Sequence, residues 1–163
     1  MLIHELKIIR QALLNEQEGY DFYTLAGNQA ESQEAKEAFS QLAAEEQKHI
    51  EWLREMYKQL AANNPDGFDF SKIADPPAPG LYTKKNIGRE SGSLAVSVFG
   101  IGVNMEKAAI DFYTAAAEQS QLPAAKRLYN NLIMWENQHL EKFLSEYESL
   151  KEDWWERQGF SPA

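Results

Sequence analysis

Polar and apolar residues recur along this chain with the period of an α-helix. Leu42, Glu46, His49 and Leu53 follow one stripe at spacings of four, three and four, and Leu132, Glu136, His139 and Phe143 follow a second. Such spacing holds side chains on one face of a helix. Long stretches rich in Leu, Glu, Gln and Ala predict four helices, at about 2–30, 32–62, 91–119 and 122–151. Ser32 suits the N-cap of the second, Asn63-Asn64-Pro65 stops it, and Pro123 suits the first turn of the fourth. The proline-rich stretch 63–90 reads as a long crossover connection. Residues 152–163 read as a C-terminal tail that packs on the bundle or on a partner subunit, within a single domain spanning 1–163.

Laid on itself ninety residues along, the chain repeats. Glu16, Asp21, Phe22, Tyr23 and Ala26 fall on Glu106, Asp111, Phe112, Tyr113 and Ala116, while Gly19 falls on Ala109. Leu42, Glu46, His49 and Tyr57 fall on Leu132, Glu136, His139 and Tyr147. Composition bias can repeat Leu and Ala, but not Glu, His and Phe-Tyr at one fixed offset. Two copies of a helical hairpin make an all-α, antiparallel four-helix bundle. A connection as long as 63–90 can run the length of that bundle, so the second hairpin is expected to dock upside down on the first.

The repeat sets the height of its polar residues. Glu16 and Glu46 stand fifteen residues either side of the turn near Glu31, and Glu106 and Glu136 stand fifteen either side of Gln121. At 1.5 Å per residue each lies about 22 Å from its turn. All four carboxylates therefore meet at mid-bundle, and His49 and His139 lie one turn beyond Glu46 and Glu136. Unpaired carboxylates in an apolar stripe are costly, and four together resist ionising. Two divalent cations would balance four negative charges. The spacing therefore predicts a two-metal site of Glu16, Glu46, His49, Glu106, Glu136 and His139.

Composition narrows the metal. With no cysteine there is no disulfide, thiolate-held zinc or iron–sulfur cluster, and ligands must be oxygen and imidazole nitrogen. That favours iron, with manganese or zinc as alternatives. A net charge of −9 argues against nucleic acid and anionic membrane as partners. No apolar run reaches the ~20 residues of a membrane span, and a cytoplasmic setting is expected.

The phrases Asn15-Glu16-Gln17-Glu18-Gly19-Tyr20-Asp21-Phe22-Tyr23 and Ala44-Glu45-Glu46-Gln47-Lys48-His49 resemble the ferritin-like superfamily, and within it the rubrerythrin-type diiron domain, over about 1–152. The resemblance implies that Glu46 and Glu136 bridge two irons, with Glu16 and His49, and Glu106 and His139, as terminal ligands. It implies reduction of hydrogen peroxide or dioxygen, or else a ferroxidase and storage role, a diiron oxygenase or a manganese catalase. Rubrerythrins carry a further glutamate where this chain has Ala109, and commonly a cysteine-rich rubredoxin domain. Electrons are accordingly expected from a separate donor protein, and peroxide turnover is expected to be slower than with that glutamate. The six-residue set also resembles the symmetric one of bacterioferritin. A homodimer is expected.

Other residues carry weaker signals. Tyr23 and Tyr113, two turns beyond Glu16 and Glu106, are candidates to hydrogen-bond a ligand carboxylate, with a one-electron relay or plain core packing as the alternatives. Tyr20 could line the pocket, although its repeat partner Ile110 favours packing. Gly100 and Gly102 either leave room above the metals for an oxidant or permit close helix packing. His4 lies outside any such pattern.

Overall fold

The computed structural model describes residues 2–76 and 92–159. Four long helices dominate the described residues: α1 (Leu2–Gln29), α2 (Gln33–Ala61), α3 (Gly92–Gln119) and α4 (Pro123–Arg157). Local chemistry sets their ends. Ser32 is extended, and its Oγ accepts a hydrogen bond from the Ala35 amide at 3.1 Å, which satisfies one of the free amides opening α2. Asn63 turns left-handed at φ 55° just past α2, a conformation that Asn tolerates better than most residues. Pro123 opens α4 behind an extended Leu122.

The far end of α4 differs from the sequence reading. The helix continues past Lys151 to Arg157, so half of the expected tail is helical. Nothing from Glu152 to Gln158 breaks a helix, and the stop comes at Gly159, whose φ of +75° suits glycine. Trp154 is half-buried and Trp155 exposed on this last turn, with their rings edge to face at 4.9 Å.

The two hairpins dock head to tail. One core layer brings Ile9 and Ala12 of α1 and Leu53, Met56 and Leu60 of α2 against Leu122, Leu128 and Leu132 around the α3–α4 turn. The other brings Ala26, Ala30, Ala35 and Phe39 around the α1–α2 turn against Phe99, Val103 and Leu150. A buried polar clasp marks the inversion. Glu5, near the start of α1, accepts hydrogen bonds from Ser120 Oγ at 2.7 Å and Tyr129 Oη at 2.6 Å. α1 faces α3 and α2 faces α4 across the join.

The end of α2 and the start of α3 thus lie at opposite ends of the bundle. From Asn64 the chain makes two short 3-10 turns, Pro65–Gly67 and Phe70–Lys72. Phe68 is buried in the first core layer, and Arg127 stacks over the Phe70 ring at 4.1 Å. By Ala74 the chain has reached mid-bundle, where its carbonyl accepts a hydrogen bond from Trp135 Nε1 at 3.0 Å. The remainder of the expected crossover, 77–90, lies outside the described residues.

Candidate metal centre

Between the two core layers the interior turns polar. α1 supplies Glu16, α2 supplies Glu46 and His49, α3 supplies Glu106, and α4 supplies Glu136 and His139. Every one of these six is at most 4 % exposed. All six sequence-predicted residues meet at one height, where the repeat puts them.

Their donor atoms fall into two overlapping groups. Glu16, Glu46, His49 and Glu136 form one, and Glu46, Glu106, Glu136 and His139 the other; within each, one donor atom per residue lies within 4.8 Å of the rest. Glu46 and Glu136 belong to both. His49 Nδ1 is 3.2 Å from Glu16, 3.5 Å from Glu46 and 3.1 Å from Glu136. His139 Nδ1 is 3.3 Å from Glu46, 3.5 Å from Glu106 and 3.3 Å from Glu136. Despite these approaches, His139 Nδ1 and Glu136 Oε1 complete no hydrogen bond among the described residues. His49 Nδ1 does pair with Glu16, but the unpartnered atoms aimed at the same points suit a pair of cations with oxygen and nitrogen ligands.

Electrostatics carry the same signature. Burial, together with repulsion from Glu136 and Glu46, pushes Glu16 well above the ordinary carboxylate range. Burial likewise leads the rise at Glu106, with Glu136 and Glu46 adding to it against the pull of His139. Against its own burial, Glu46 is lowered by a hydrogen bond from Glu16 and by both histidines, and Glu136, against burial and repulsion from Glu46, is lowered by His49 and His139. The histidines are raised despite burial, His49 by Glu136 and Glu16, and His139 by Glu106 with help from Glu136 and Glu45. Without cations, the site balances its charge by holding protons.

Two tyrosines cross the join between hairpins. Tyr23 of α1 donates to Glu106 Oε1 on α3, and Tyr113 of α3 donates to Glu16 Oε1 on α1. Each lies two turns from the glutamate of its own helix but serves the glutamate of the opposite one. Burial and the nearby carboxylates raise both phenols, so they remain proton donors.

Glu45 escapes the sequence reading. It is buried, and its Oε2 lies 2.8 Å from His139 Nε2. Burial raises the Glu45 carboxyl, yet the His139 hydrogen bond and charge outweigh that, leaving it below the ordinary value. An ionised carboxylate only accepts, so Nε2 carries the proton of this bond and Nδ1 is the nitrogen turned to the centre. The repeat is broken here, since Trp135 stands ninety residues along from Glu45. His49 Nε2 accordingly has no hydrogen-bond partner among the described residues, and its ring sits against Trp52 and Trp135 at 5.5 and 5.4 Å.

The approach to the centre lies on the other side. A cavity of about 180 Å³ opens between α1 and α3 and reaches Glu16, Glu46, Glu106 and Glu136. Gly19 and Ala109, each other's repeat partners, line it, with Asn15 and Glu18 beside them. Gly100 and Gly102 do not provide this room. A Cβ on Gly100 would come within 3.3 Å of Tyr147, and one on Gly102 within 3.1 Å of Phe143, so these glycines let α3 close on α4. Tyr20 packs against the second core layer. His4 is exposed.

The family model described as Rubrerythrin matches residues 7–147. The chain belongs to the rubrerythrin family. That match reaches all four helices and takes in all six converging residues, and it brings the ferritin-like diiron domain with it. No curated protein and no solved structure matches the chain. In this rubrerythrin-family chain, as the sequence predicted, the bundle is all helical among the described residues, and the Glu and His groups are compatible with two irons. No helix among the described residues is long and apolar enough to cross a membrane.

Proposed function

We propose that this rubrerythrin-family chain holds two iron ions and reduces hydrogen peroxide or dioxygen with electrons from a separate donor protein. The observation that carries the proposal is the convergence of two overlapping donor groups at the inner end of a solvent-reaching cavity. Glu16 and His49 would hold one ion, Glu106 and His139 the other, and Glu46 and Glu136 both. When bound, a ferrous pair supplies the two electrons that, with two protons, take hydrogen peroxide to two waters.

The chain's own residues shape that chemistry. The gap beside Gly19 and Ala109 admits a small oxidant from the α1–α3 side. On the opposite side the Trp52 and Trp135 rings, 5.9 Å apart, exclude water. Tyr113 and Tyr23 fix the orientation of Glu16 and Glu106 through their hydroxyl protons, and Glu45 holds the His139 ring.

Stopped-flow oxidation of the anaerobically loaded diferrous protein tests the reading. Rapid oxidation by peroxide, and repeated turnover with a reductant, are the expected results. The variant Ala109→Glu, which puts a carboxylate into the cavity, should raise the peroxide rate relative to the oxygen rate. Rapid reaction with oxygen and none with peroxide would move the assignment to a ferroxidase. Failure to take up ferrous iron at all would sink it.

A further inference from the structure

The repeat builds both walls of the cavity that leads to the centre. On α1 they are Asn15, Glu18 and Gly19, and ninety residues along on α3 they are Met105, Ala108 and Ala109. Glu18 and Ala108 are exposed, Asn15 and Met105 half-buried, so these four form the mouth. Where α1 presents an amide, α3 presents a thioether. Among the described residues Met105 carries the only sulfur that lines this cavity, and the chain has no cysteine. Two other methionines serve as references: Met56 is fully buried, and Met134 is 46 % exposed on α4.

A thioether is a two-electron reductant for hydrogen peroxide. Carboxyl groups and the Asn15 amide line the cavity, and a peroxide molecule hydrogen-bonded to them lies beside Met105. A reactant held in this way behaves as if present at very high concentration. The sulfur attacks one peroxide oxygen, so that an S–O bond forms as the O–O bond breaks. The second oxygen leaves as water with both hydrogens; sulfur is oxidised by two electrons and peroxide reduced by two. No metal is needed for this step. A flexible apolar side chain becomes a polar sulfoxide, and the change is reversible by sulfoxide reductases.

We propose that Met105 is an oxidation-sensitive gate: peroxide converts it to the sulfoxide, and the sulfoxide closes the cavity that reaches the four central glutamates. The two oxidation states differ in what they accept. A thioether sulfur is a weak hydrogen-bond acceptor, whereas a sulfoxide oxygen is a strong one. On the facing wall Asn15 Oδ1 already accepts from Gln11 Nε2 at 2.9 Å, so the hydrogens on Asn15 Nδ2 are the donors this amide has left. A hydrogen bond from Asn15 to the sulfoxide ties α1 to α3 across the mouth. Gly19 and Ala109 carry no side chain long enough to prop it open. The gate thus answers to oxidant load, shutting when peroxide accumulates and reopening on reduction. The inference rests on the proposed function only for the identity of the oxidant.

Hydrogen peroxide added to the full chain, stripped of metal by chelation, tests it apart from any iron chemistry. Met56, Met105 and Met134 fall on separate tryptic peptides, so mass spectrometry reads each sulfoxide by itself. Met105 should oxidise about tenfold faster than Met134, against the order of exposure, because the cavity holds the oxidant beside it. Met56 should stay reduced, which with the helical circular dichroism shows that the bundle is intact. Cobalt(II), visible in the absorption spectrum once bound, then probes the way in. Its uptake should slow several-fold after peroxide and recover after treatment with reductases for both sulfoxide epimers. Met105→Leu, similar in volume, should take up cobalt at one rate before and after peroxide. The gate is overturned if Met134 or Met56 oxidises as fast as Met105, if sulfoxide at Met105 leaves cobalt uptake unchanged, or if Met105→Leu slows as the wild type does. With no iron present, each of these failures leaves the peroxide-reduction reading to its own stopped-flow test.

Discussion

At His139 the ring nitrogen that points away from the centre is held by Glu45, while at His49 the same nitrogen meets only the Trp52 and Trp135 rings. A carboxylate behind a ligating imidazole fixes its tautomer and raises its basicity, and losing such a partner costs about 10–100-fold in metal affinity. Glu45→Ala should therefore weaken one of the two metal-binding steps by that factor and spare the other. Anaerobic calorimetric titration with ferrous or cobalt(II) ions reads both steps, and an equal loss at each would rule the asymmetry out. Protons offer a second handle. Glu16 and Glu106 lie above the ordinary glutamate value of 4.5, and His49 and His139 above the ordinary histidine value of 6.5. A raised folded value means that the folded protein holds the proton more tightly than the unfolded chain. That stability is complete below the unfolded value and is lost as pH climbs through the folded one. Metal-free protein should lose thermal stability as pH rises above about 4.5, through Glu16 and Glu106, and more steeply above about 6.5 and into the alkaline range, where the histidines join them. The lowered Glu46 and Glu136 act in the opposite sense, their contribution being lost only as pH falls below 4.5. Bound cations replace the protons and add their own binding energy, so the loaded protein should melt higher and stay flat through the same alkaline range. Parallel melting profiles for the two forms would contradict this.

Two glycines on equivalent-looking helices should respond oppositely to alanine. A Cβ at Gly102 would press on Phe143, which is itself held by stacking on Tyr23 and by the edge of Phe99. It has nowhere to yield, so Gly102→Ala should cost about 1–3 kcal/mol. At Gly19 the nearest atom is Glu46 Cδ at 3.5 Å, an ordinary contact beside the cavity. Gly19→Ala should gain about 0.5–1 kcal/mol from helix propensity. Urea unfolding of both variants measures the pair, and equal shifts of the same sign would count against the packing argument. The sequence could not choose between the two roles of Gly100 and Gly102, because the aromatic residues that decide for close packing, Tyr147 and Phe143, sit on another helix. Glu45 was hidden for a related reason. A Glu-Glu doublet reads as one inward and one outward residue, and only docking of the second hairpin brings His139 to the first. Legible features were those carried by spacing within a hairpin: the helix starts at Ser32 and Pro123, the Glu-x-x-His pairs, and the common height of four glutamates. The true end of α4 was missed because an amphipathic tail without Gly or Pro looks the same whether or not it stays helical.

The inverted docking of the hairpins has a consequence for how the chain folds. Each hairpin is built from contacts close in sequence, which form quickly, and each carries only half of the polar centre. Glu16 with Glu46 and His49, or Glu106 with Glu136 and His139, is a tolerable set while one face remains in water. Apposition of the two halves is the step that strips that water away and brings like charges together, so the electrostatic cost falls late, on assembly. Helical signal should return in a fast phase that is indifferent to ions. Quenching of Trp52 and Trp135 should follow in a slower phase, one that divalent cations accelerate and alkaline pH retards. If both signals recover together at one metal-independent rate, the halves do not form separately. The bundle thus contains its own checkpoint: a chain that has not met its ions hesitates as two open hairpins before it can close.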